Sequence, residues 1–452
     1  MTLHWGQSLA CGVHGQPARS ATTHGHKTFG SGVKSMKPEN VFGLNHTTRP
    51  GTTTVAHLAE DDNYAWSDRI PAGETSITQS LDRMSVLAAA SGVPDDDNIW
   101  FGSAPARGAM RMSLLTPDAK NWRNVVDHVS AFAALAREAG ATPIVRDFVF
   151  TQGQVDVLLH TEFSQYRAQL LQIVDEADRL ARNVTGQAEP VMTFINQVSH
   201  GIARKGGDIA QAQLEATFAD SRAKLLIPDY VLPHSRDGLH LSSEGYALRG
   251  VYEARAKFWT FFCDGQGAVT GIRPLSACWA EGRFYVRFEA PTPPLRIGLE
   301  DIVVGAPDWK ATRQHGFRAF DPDGDIALGD FQIGRDGVTL SCAGERAPGC
   351  GCVFRGGMDY QSQSNRGVTQ GGACTDLKDS TNEVVSFGDG ATLFRTWYPC
   401  PHFSLAVQST SEDQSSSGRA SFASVAGGPG AAKDHAALFP AEFSMLGKSL
   451  AF

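Results

Sequence analysis

The stretch Thr2-Leu3-His4-Trp5-Gly6-Gln7-Ser8 sets the first element of the fold. Residues 2–5 form a short, largely apolar run that a glycine closes, which is typical of a buried strand. Similar runs, each bounded by turn or polar residues, follow at 99–103, 143–150, 191–195 and 223–227. Because the run ends at Trp5, we expect Ser8 in the turn that leaves the first strand, at the carboxyl edge of a sheet.

Helical patterns separate these runs. Apolar residues recur at helical spacing from Trp122 to Ala136, before Gly140, and a second helix is predicted over 157–183, ending near Gly186. A further helical run extends to about Phe262. Strands that alternate with helices of this length imply βαβ crossovers and a parallel sheet covered on both faces. In such a sheet, ligand sites form beyond the carboxyl ends of the strands.

The pattern changes near Gly265. Short β-like runs separated by Gly, Asp and Pro turns predict a β-rich, sandwich-like domain, with strands at 284–288, 302–304, 337–340 and 403–407. We therefore expect two domains, 1–263 and 264–452. Ser, Gly and Ala dominate residues 409–430, which predicts a flexible linker or loop.

Composition excludes several classes of protein. Of the 452 residues, 42% are hydrophobic and 19% charged, and the net charge of -8 provides no basic field for nucleic acid. No apolar run approaches the roughly 20 residues of a membrane span, and the opening residues lack the features of a signal peptide. We expect a soluble protein without a cofactor, cytoplasmic or associated with a phage particle; the oligomeric state stays open.

The eight cysteines are too few for a disulfide scaffold, although five of them lie in the C-terminal part. Free buried thiols are favoured over one or two disulfides. Metal binding at Cys350-Gly351-Cys352 is disfavoured because the spacing is not CxxC.

Asp237-Gly238-Leu239-His240 carries the chemistry that Ser8 would need. An aspartate three residues before a histidine can accept from the Nδ1–H of the imidazole, which leaves Nε2 to act as a base. A serine hydroxyl becomes a good nucleophile only when such a base removes its proton. The alternative is a helix-capping loop in which Asp237 and His240 are ordinary surface residues.

Three blocks in order resemble the SGNH (GDSL-like) hydrolases, in particular the branch of sialate O-acetylesterases and acetylxylan esterases. Gly6-Gln7-Ser8 is similar to the opening block, Gln152-Gly153-Gln154-Val155-Asp156 to a block after a central strand, and Asp237 to Tyr246 to the closing one. The resemblance implies a flavodoxin-like, three-layer α/β/α fold. It implies a triad of Ser8, Asp237 and His240 that cleaves an acetyl ester on a carbohydrate.

The resemblance also implies the donors of an oxyanion hole. These are the backbone amides of Ser8 and Gly73, together with Gln152 or the amide of Gly153. Three departures from the branch are visible: Gln154 in place of a glutamate, Leu9 in place of an asparagine, and 107–110 in place of a glycine pair. They leave the triad intact but put substrate preference and efficiency in question.

Two rival functions stay open. A non-catalytic carbohydrate-binding or phage-tail-like protein would be consistent with Gln154 in place of a glutamate and with the large β-rich part. At residues 375–380 and 393–397, this β-rich part resembles the appendage of some bacterial and phage relatives. A lipase or thioesterase on the same fold would prefer longer acyl chains.

Other features carry less weight. Residues 321–325 imitate a calcium loop but are predicted to be a β-turn, because Gln332 stands where a bidentate glutamate is needed. His24 and His26 are interpreted as a solvated loop, so no metal site is predicted. Core packing is favoured over sugar stacking for Trp279, Trp309 and Trp397.

Overall fold

The structure is a computed structural model, which describes residues 1–34, 52–62, 65–67, 70–92, 99–263, 270–298, 313–344, 346–359, 373–387, 390 and 392–409. The strands of the first part are β1 (Thr2–Gly6), β2 (Lys27–Phe29), β3 (Val55–His57), β4 (Ala65–Ser67), β5 (Ile70–Pro71), β6 (Gly102–Ser103), β7 (Asp147–Thr151), β8 (Met192–Gln197) and β9 (Ala223–Pro228). Its helices are α1 (Ile77–Ala90), α2 (Trp122–Glu138), α3 (Gln154–Leu159), α4 (Phe163–Thr185), α5 (Ile202–Lys205), α6 (Asp208–Ala219) and α7 (Ser243–Phe262).

Five strands form one parallel sheet in the order β6-β1-β7-β8-β9. In chain order this is 2-1-3-4-5, the flavodoxin-like order, so the α/β prediction is confirmed. β1 and β7 are buried along their whole length, as expected of strands covered on both faces. The strand order reverses between β1 and β7, and this switch point lies where Ser8 leaves the sheet.

Helix α4 shows how the sequence pattern fixes the packing. Its buried side chains recur every three or four residues and face the sheet, whereas the rest of the surface is polar. They are Tyr166, Leu170, Ile173, Val174, Ala177 and Ala181. A glycine in the left-handed region, Gly186, ends the helix where the sequence predicts.

The prediction of a single helix over residues 157–183 is wrong in one respect. The structure contains two helices, α3 and α4, because His160 adopts left-handed backbone angles (φ 53°) and ends α3. The Thr161 hydroxyl donates to Asp156 Oδ1 at 2.7 Å, which stabilises the break. Local hydrogen bonding therefore overrides an apolar pattern that runs through the break.

The second part is rich in strands, as predicted. It contains β10 (Arg273–Ala280), β11 (Arg283–Glu289), β12 (Arg296–Ile297), β13 (Phe317–Asp321), β14 (Gly324–Ile326), β15 (Leu328–Ile333), β16 (Gly337–Cys342), β17 (Val353–Gly356), β18 (Leu377–Lys378), β19 (Val384–Ser386), β20 (Leu393–Arg395) and β21 (Phe403–Ser409). Eight of them join in the order β14-β13-β17-β21-β10-β11-β16-β15. The strand predicted at 302–304 lies outside the described residues, as does the Ser/Gly-rich segment from residue 410 onward. The boundary between residues 263 and 264 stays a prediction.

The two parts share buried polar contacts. The Tyr252 hydroxyl of α7 donates to the carbonyl of Trp397 at 2.8 Å, and Arg255 Nη1 donates to the carbonyl of Thr396 at 2.9 Å. On β8, Gln197 Nε2 donates to the carbonyl of His402 at 2.8 Å. Each of these side chains is nearly inaccessible to solvent, so the β-rich part packs directly against the α/β part.

Several smaller predictions can be compared with the structure. A tight turn joins Asp321 at the end of β13 to Gly324 at the start of β14, where a β-turn is predicted. Trp397 is buried in the core, Trp279 packs on Phe284 with ring centroids 4.7 Å apart, and Trp309 lies outside the described residues. No disulfide joins any of the eight cysteines. Among the described helices, none combines the length and the apolar composition that a membrane span requires.

Candidate active site

Gly6 allows the chain to turn sharply at the end of β1. Its φ of +142° is rarely adopted by residues with a side chain, and a Cβ at this position would lie 2.0 Å from the Thr151 carbonyl oxygen. The Gln7 amide donates to the same carbonyl at 3.0 Å. Ser8 then opens a short 3-10 turn, Ser8–Ala10. The glycine thus permits the close contact with β7 that directs Ser8 away from the strand.

Asp237 shapes the loop that carries His240. Its Oδ1 accepts from the Ser235 hydroxyl at 2.7 Å, from the Leu239 amide at 3.0 Å and from the His240 amide at 2.9 Å. Gly238, with φ +65°, allows the turn between them. One carboxylate oxygen therefore holds the backbone, and the other is left for the imidazole.

Ser8, His240 and Asp237 form a continuous hydrogen-bonded chain. His240 Nδ1 lies 2.6 Å from Asp237 Oδ2, and His240 Nε2 lies 2.8 Å from Ser8 Oγ. Because a carboxylate only accepts, the imidazole proton is on Nδ1, and Nε2 is left to accept from the serine hydroxyl. This alignment is the one a serine nucleophile and its base require.

Burial and charge differ along this chain of groups. Ser8 is 6% exposed and His240 8%, whereas the Asp237 side chain is 33% exposed. Burial alone would raise the pKa of Asp237, but hydrogen bonds from the His240 side chain and from nearby amides lower that pKa well below its ordinary value. Asp237 is therefore an anion that can stabilise a positive charge on His240.

His14 is a neighbour of the triad that the sequence analysis missed. Its ring stacks on the His240 ring with centroids 5.0 Å apart, and its Nε2 lies 3.7 Å from Asp237 Oδ2. The residue has left-handed backbone angles (φ 63°), which are uncommon outside glycine. No motif marks this position, because the contact depends on how the loop after Ser8 folds back over the Asp237 loop.

Two of the four expected oxyanion donors are not free for that role. The Gly73 amide donates to the Gly12 carbonyl at 2.9 Å. Gln152 Nε2 donates to the Met110 carbonyl at 3.1 Å and to Asp156 Oδ2, so both amide hydrogens are used. Backbone and carboxylate acceptors within the fold therefore already take these hydrogens, and the set of oxyanion donors stays a prediction.

The Gln-Gly-Gln-Val-Asp block instead holds the end of β7 in place. Gln152 Oε1 accepts from the Tyr166 hydroxyl at 2.8 Å, and Asp156 Oδ2 accepts from the Met112 amide at 2.8 Å. Gly153 has a φ of +144° and leads into α3. Within the described part of the chain, no hydrogen bond is found for the amides of Ser8 and Gly153. These two amides remain as the candidate donors.

Gln154 belongs to a buried chain of polar groups behind Ser8. Gln7 Nε2 donates to Gln154 Oε1 at 2.6 Å, and Gln154 Nε2 donates to Asp229 Oδ2 at 3.2 Å. Burial raises the pKa of Asp229 to about 7. The carboxyl group that the sequence analysis found missing at position 154 is therefore present next to it, on Asp229.

Helix α7 joins the two halves of the site. It begins three residues after His240, and its Arg249 Nη2 donates to the Leu9 carbonyl at 2.8 Å. The Tyr246 hydroxyl donates to the Val13 carbonyl at 2.8 Å. The helix therefore fixes the turn that carries Ser8 relative to the loop that carries His240.

Two groups of side chains among the described residues have donor atoms close enough to hold a metal ion. One is His14, Asp237 and His240; the other is His24, His26 and Asp82. In the first group, His240 Nε2 faces Ser8, so the geometry serves proton transfer from the serine. The structure corrects the solvated-loop interpretation for His26, whose side chain is only 2% exposed, whereas His24 lies at the surface.

The parallel sheet in the order 2-1-3-4-5, with the Ser8 turn at its switch point, has the flavodoxin-like α/β fold that the sequence resemblance to the SGNH (GDSL-like) hydrolases implies. A carbohydrate acetylesterase from Xanthomonas citri has a similar structure, with a TM-score of 0.52 and 16% identity over 89% of this chain and 79% of that chain. A protein from Arabidopsis thaliana gives a TM-score of 0.36 at 14% identity, over 58% of this chain and 99% of that chain. A G-D-S-L lipolytic protein from Veillonella parvula gives 0.23 at 14% identity, over 40% and 87%. No protein-family profile and no curated protein matches the chain.

Proposed function

We propose that this protein is a serine esterase that hydrolyses acetyl esters on carbohydrate. The observation that carries the proposal is the aligned chain Ser8–His240–Asp237, with contacts of 2.8 and 2.6 Å at the carboxyl edge of the sheet. Ser8 lies more than 200 residues from Asp237 and His240 in the sequence, and a purely structural role does not require this alignment.

In the first half of the reaction, Ser8 Oγ attacks the carbonyl carbon of the ester. His240 Nε2 takes the serine proton as the new C–O bond forms, and Asp237 stabilises the resulting imidazolium. The tetrahedral intermediate then collapses, the bond to the leaving alcohol breaks, and the proton passes from Nε2 to the alcohol oxygen. An acyl group remains on Ser8.

Water completes the cycle. His240 Nε2 takes a proton from water, the hydroxide adds to the acyl carbon, and the bond to Ser8 Oγ breaks as the proton returns to the serine. Both steps place negative charge on the carbonyl oxygen. The amides of Ser8 and Gly153 would donate to it, and each such donor is worth roughly 3–4 kcal/mol of barrier.

The substrate class is supported by two lines of argument. The resemblance of the three sequence blocks points to acetyl esters of sugars, and the structure similar over most of the chain is that of a carbohydrate acetylesterase. Ser8 is largely buried, which favours a small acyl group at the nucleophile. Fold similarity alone does not define a substrate, so this step is tested directly.

The test measures release of acetate from p-nitrophenyl acetate and from acetylated xylan or sialic acid. We expect the wild type to hydrolyse both kinds of ester, and Ser8→Ala to lose at least 1,000-fold in kcat/KM. Ser235→Ala is the matched control, because it removes a hydroxyl from the same site without touching the nucleophile.

Three outcomes would count against the proposal. Equal rates for wild type and Ser8→Ala would favour a non-catalytic, carbohydrate-binding role. Preference for octanoyl over acetyl esters would favour a lipase or thioesterase. Activity on p-nitrophenyl acetate without release of acetate from any sugar would support the esterase activity but contradict the carbohydrate substrate.

A further inference from the structure

Two histidines and an aspartate meet on the α/β part, on a different set of elements from the Ser8 turn. His24 and His26 lie two residues apart just before β2, and Asp82 lies on α1. A bend at Thr23–His24 and the left-handed Gly25 (φ +76°) lead from one histidine to the other, and an imidazole nitrogen of each lies within 3.7 Å of the Asp82 carboxylate. Their rings are nearly parallel, with centroids 5.7 Å apart.

The donor atoms have the spacing of a metal site. His24 Nδ1 lies 3.4 Å from Asp82 Oδ1, and His26 Nε2 lies 3.7 Å from the same oxygen. Zinc binds imidazole nitrogen and carboxylate oxygen at about 2.0–2.1 Å, which puts neighbouring donors of a tetrahedron about 3.3–3.4 Å apart. All three donor atoms lie within 4.8 Å of one another, so rotations of the side chains would bring them onto one ion.

Burial is graded across the cluster. The His26 side chain is 2% exposed, that of Asp82 15% and that of His24 35%. Two donors are thus held by the fold, and the third lies at the surface, where an ion can enter and water can complete the coordination.

Hydroxyl groups surround the three donors. Thr22 Oγ1 donates to Asp82 Oδ1 at 2.6 Å, Thr23 Oγ1 lies 3.1 Å from His24 Nδ1, and Ser85 Oγ lies 3.2 Å from His26 Nε2. Hydrogen bonds to a ligating carboxylate orient it and are common around metal sites. The hydroxyls of Thr23 and Ser85 would have to leave the ring nitrogens when an ion binds.

We propose that His24, His26 and Asp82 form a zinc site that clamps the segment before β2 to helix α1. Two imidazoles and one carboxylate, with a water as the fourth ligand, are a donor set that suits Zn²⁺. Because α1 packs on α7, bound zinc stabilises the side of the domain that supports the His240 loop. The site is independent of the proposed esterase reaction, in which no metal takes part.

Calorimetric titration of chelator-treated, full-length protein with ZnCl₂ at pH 7.5 tests this proposal. We expect one zinc bound per chain and a melting temperature that rises by about 3 °C at a free zinc concentration 100-fold above Kd. The affinity should fall as the pH is lowered, because a histidine must be neutral to bind the ion. Co²⁺ should give the visible bands of a tetrahedral complex.

His24→Gln and Asp82→Asn should each lower the affinity at least 10-fold. His57→Ala is the control, because His57 is a histidine on the neighbouring strand β3, opposite Lys27. Ester hydrolysis without zinc should be unchanged in His24→Gln, which shows that the variant folds.

Three results would overturn the proposal. These are the absence of zinc binding at 100-fold excess of metal over protein, binding that His24→Gln and Asp82→Asn do not weaken, and binding that His14→Asn abolishes. The last result would place the ion at His14, Asp237 and His240.

Discussion

Asp237→Asn changes one atom at the centre of the proposed mechanism. The asparagine Oδ1 can still accept from the Ser235 hydroxyl and from the amides of Leu239 and His240, so the loop should keep its shape. The new NH₂ group replaces the oxygen that lies 2.6 Å from His240 Nδ1. Since the NH₂ group can only donate, Nδ1 must accept, and the imidazole proton moves to Nε2.

The size of the effect follows from that shift. Nε2, 2.8 Å from Ser8 Oγ, would then present an N–H to the hydroxyl and could not take its proton. The equivalent change in a serine protease triad costs about 10⁴ in kcat, or about 5.5 kcal/mol of barrier. We expect a loss of the same order in kcat on p-nitrophenyl acetate, with KM and the melting temperature changed little.

Ser235→Ala separates the catalytic effect from a loop effect. It removes one hydrogen bond to Asp237 Oδ1 and leaves Oδ2 untouched, so kcat should fall less than 10-fold. If Asp237→Asn keeps more than a tenth of the wild-type kcat, or if both variants lose equally, Asp237 does not orient the base and the reasoning fails.

Three further predictions concern residues around the triad. Gly6→Ala would bring a Cβ within 2.0 Å of a carbonyl oxygen, so we expect at least a 100-fold loss of kcat/KM or loss of folded protein, checked by kinetics and circular dichroism. His14→Asn keeps a residue that tolerates left-handed angles but removes the ring; since Nε2 is 3.7 Å from Asp237 Oδ2 and a third exposed, kcat/KM should fall less than 10-fold. Asp229, with a folded pKa of about 7 against an ordinary 3.8, keeps its proton where the unfolded chain loses it, so its contribution to stability falls as pH rises from 3.8 to 7. That pKa shift corresponds to about 4 kcal/mol of unfolding free energy, or about 4 °C in melting temperature for 452 residues. The melting temperature of Asp229→Asn relative to wild type should therefore rise by about 4 °C between pH 4 and pH 8. A difference that does not change with pH would contradict the pKa shift.

Local patterns in the sequence were enough to predict the parallel sheet and the position of Ser8. The apolar runs near β1, β7, β8 and β9 are short and bounded by turns, and the glycine before Gln7 marks the end of β1. Asp237 and His240 are three residues apart, so a single turn brings them together, which the pattern also predicts. Information of this kind is contained within a few neighbouring residues.

The differences between expectation and structure lie in contacts between distant segments. Gly73 and Gln152 could donate by residue type, but acceptors at Gly12, Met110 and Asp156 take their hydrogens, and no local pattern reveals this. His26 resembles a loop residue until α1 brings Asp82 beside it. Likewise, the carboxyl group missing at position 154 is supplied from 75 residues further along the chain.

Helix α7 has a consequence for any attempt to shorten the protein. This 20-residue helix contacts the turn that carries Ser8 through Arg249, and it contacts the β-rich part through Tyr252 and Arg255. Truncating the chain near residue 263 would expose part of helix α7 to solvent and leave Tyr252 and Arg255 without their carbonyl partners. The two parts of this enzyme candidate are therefore better engineered as one indivisible body than as exchangeable modules.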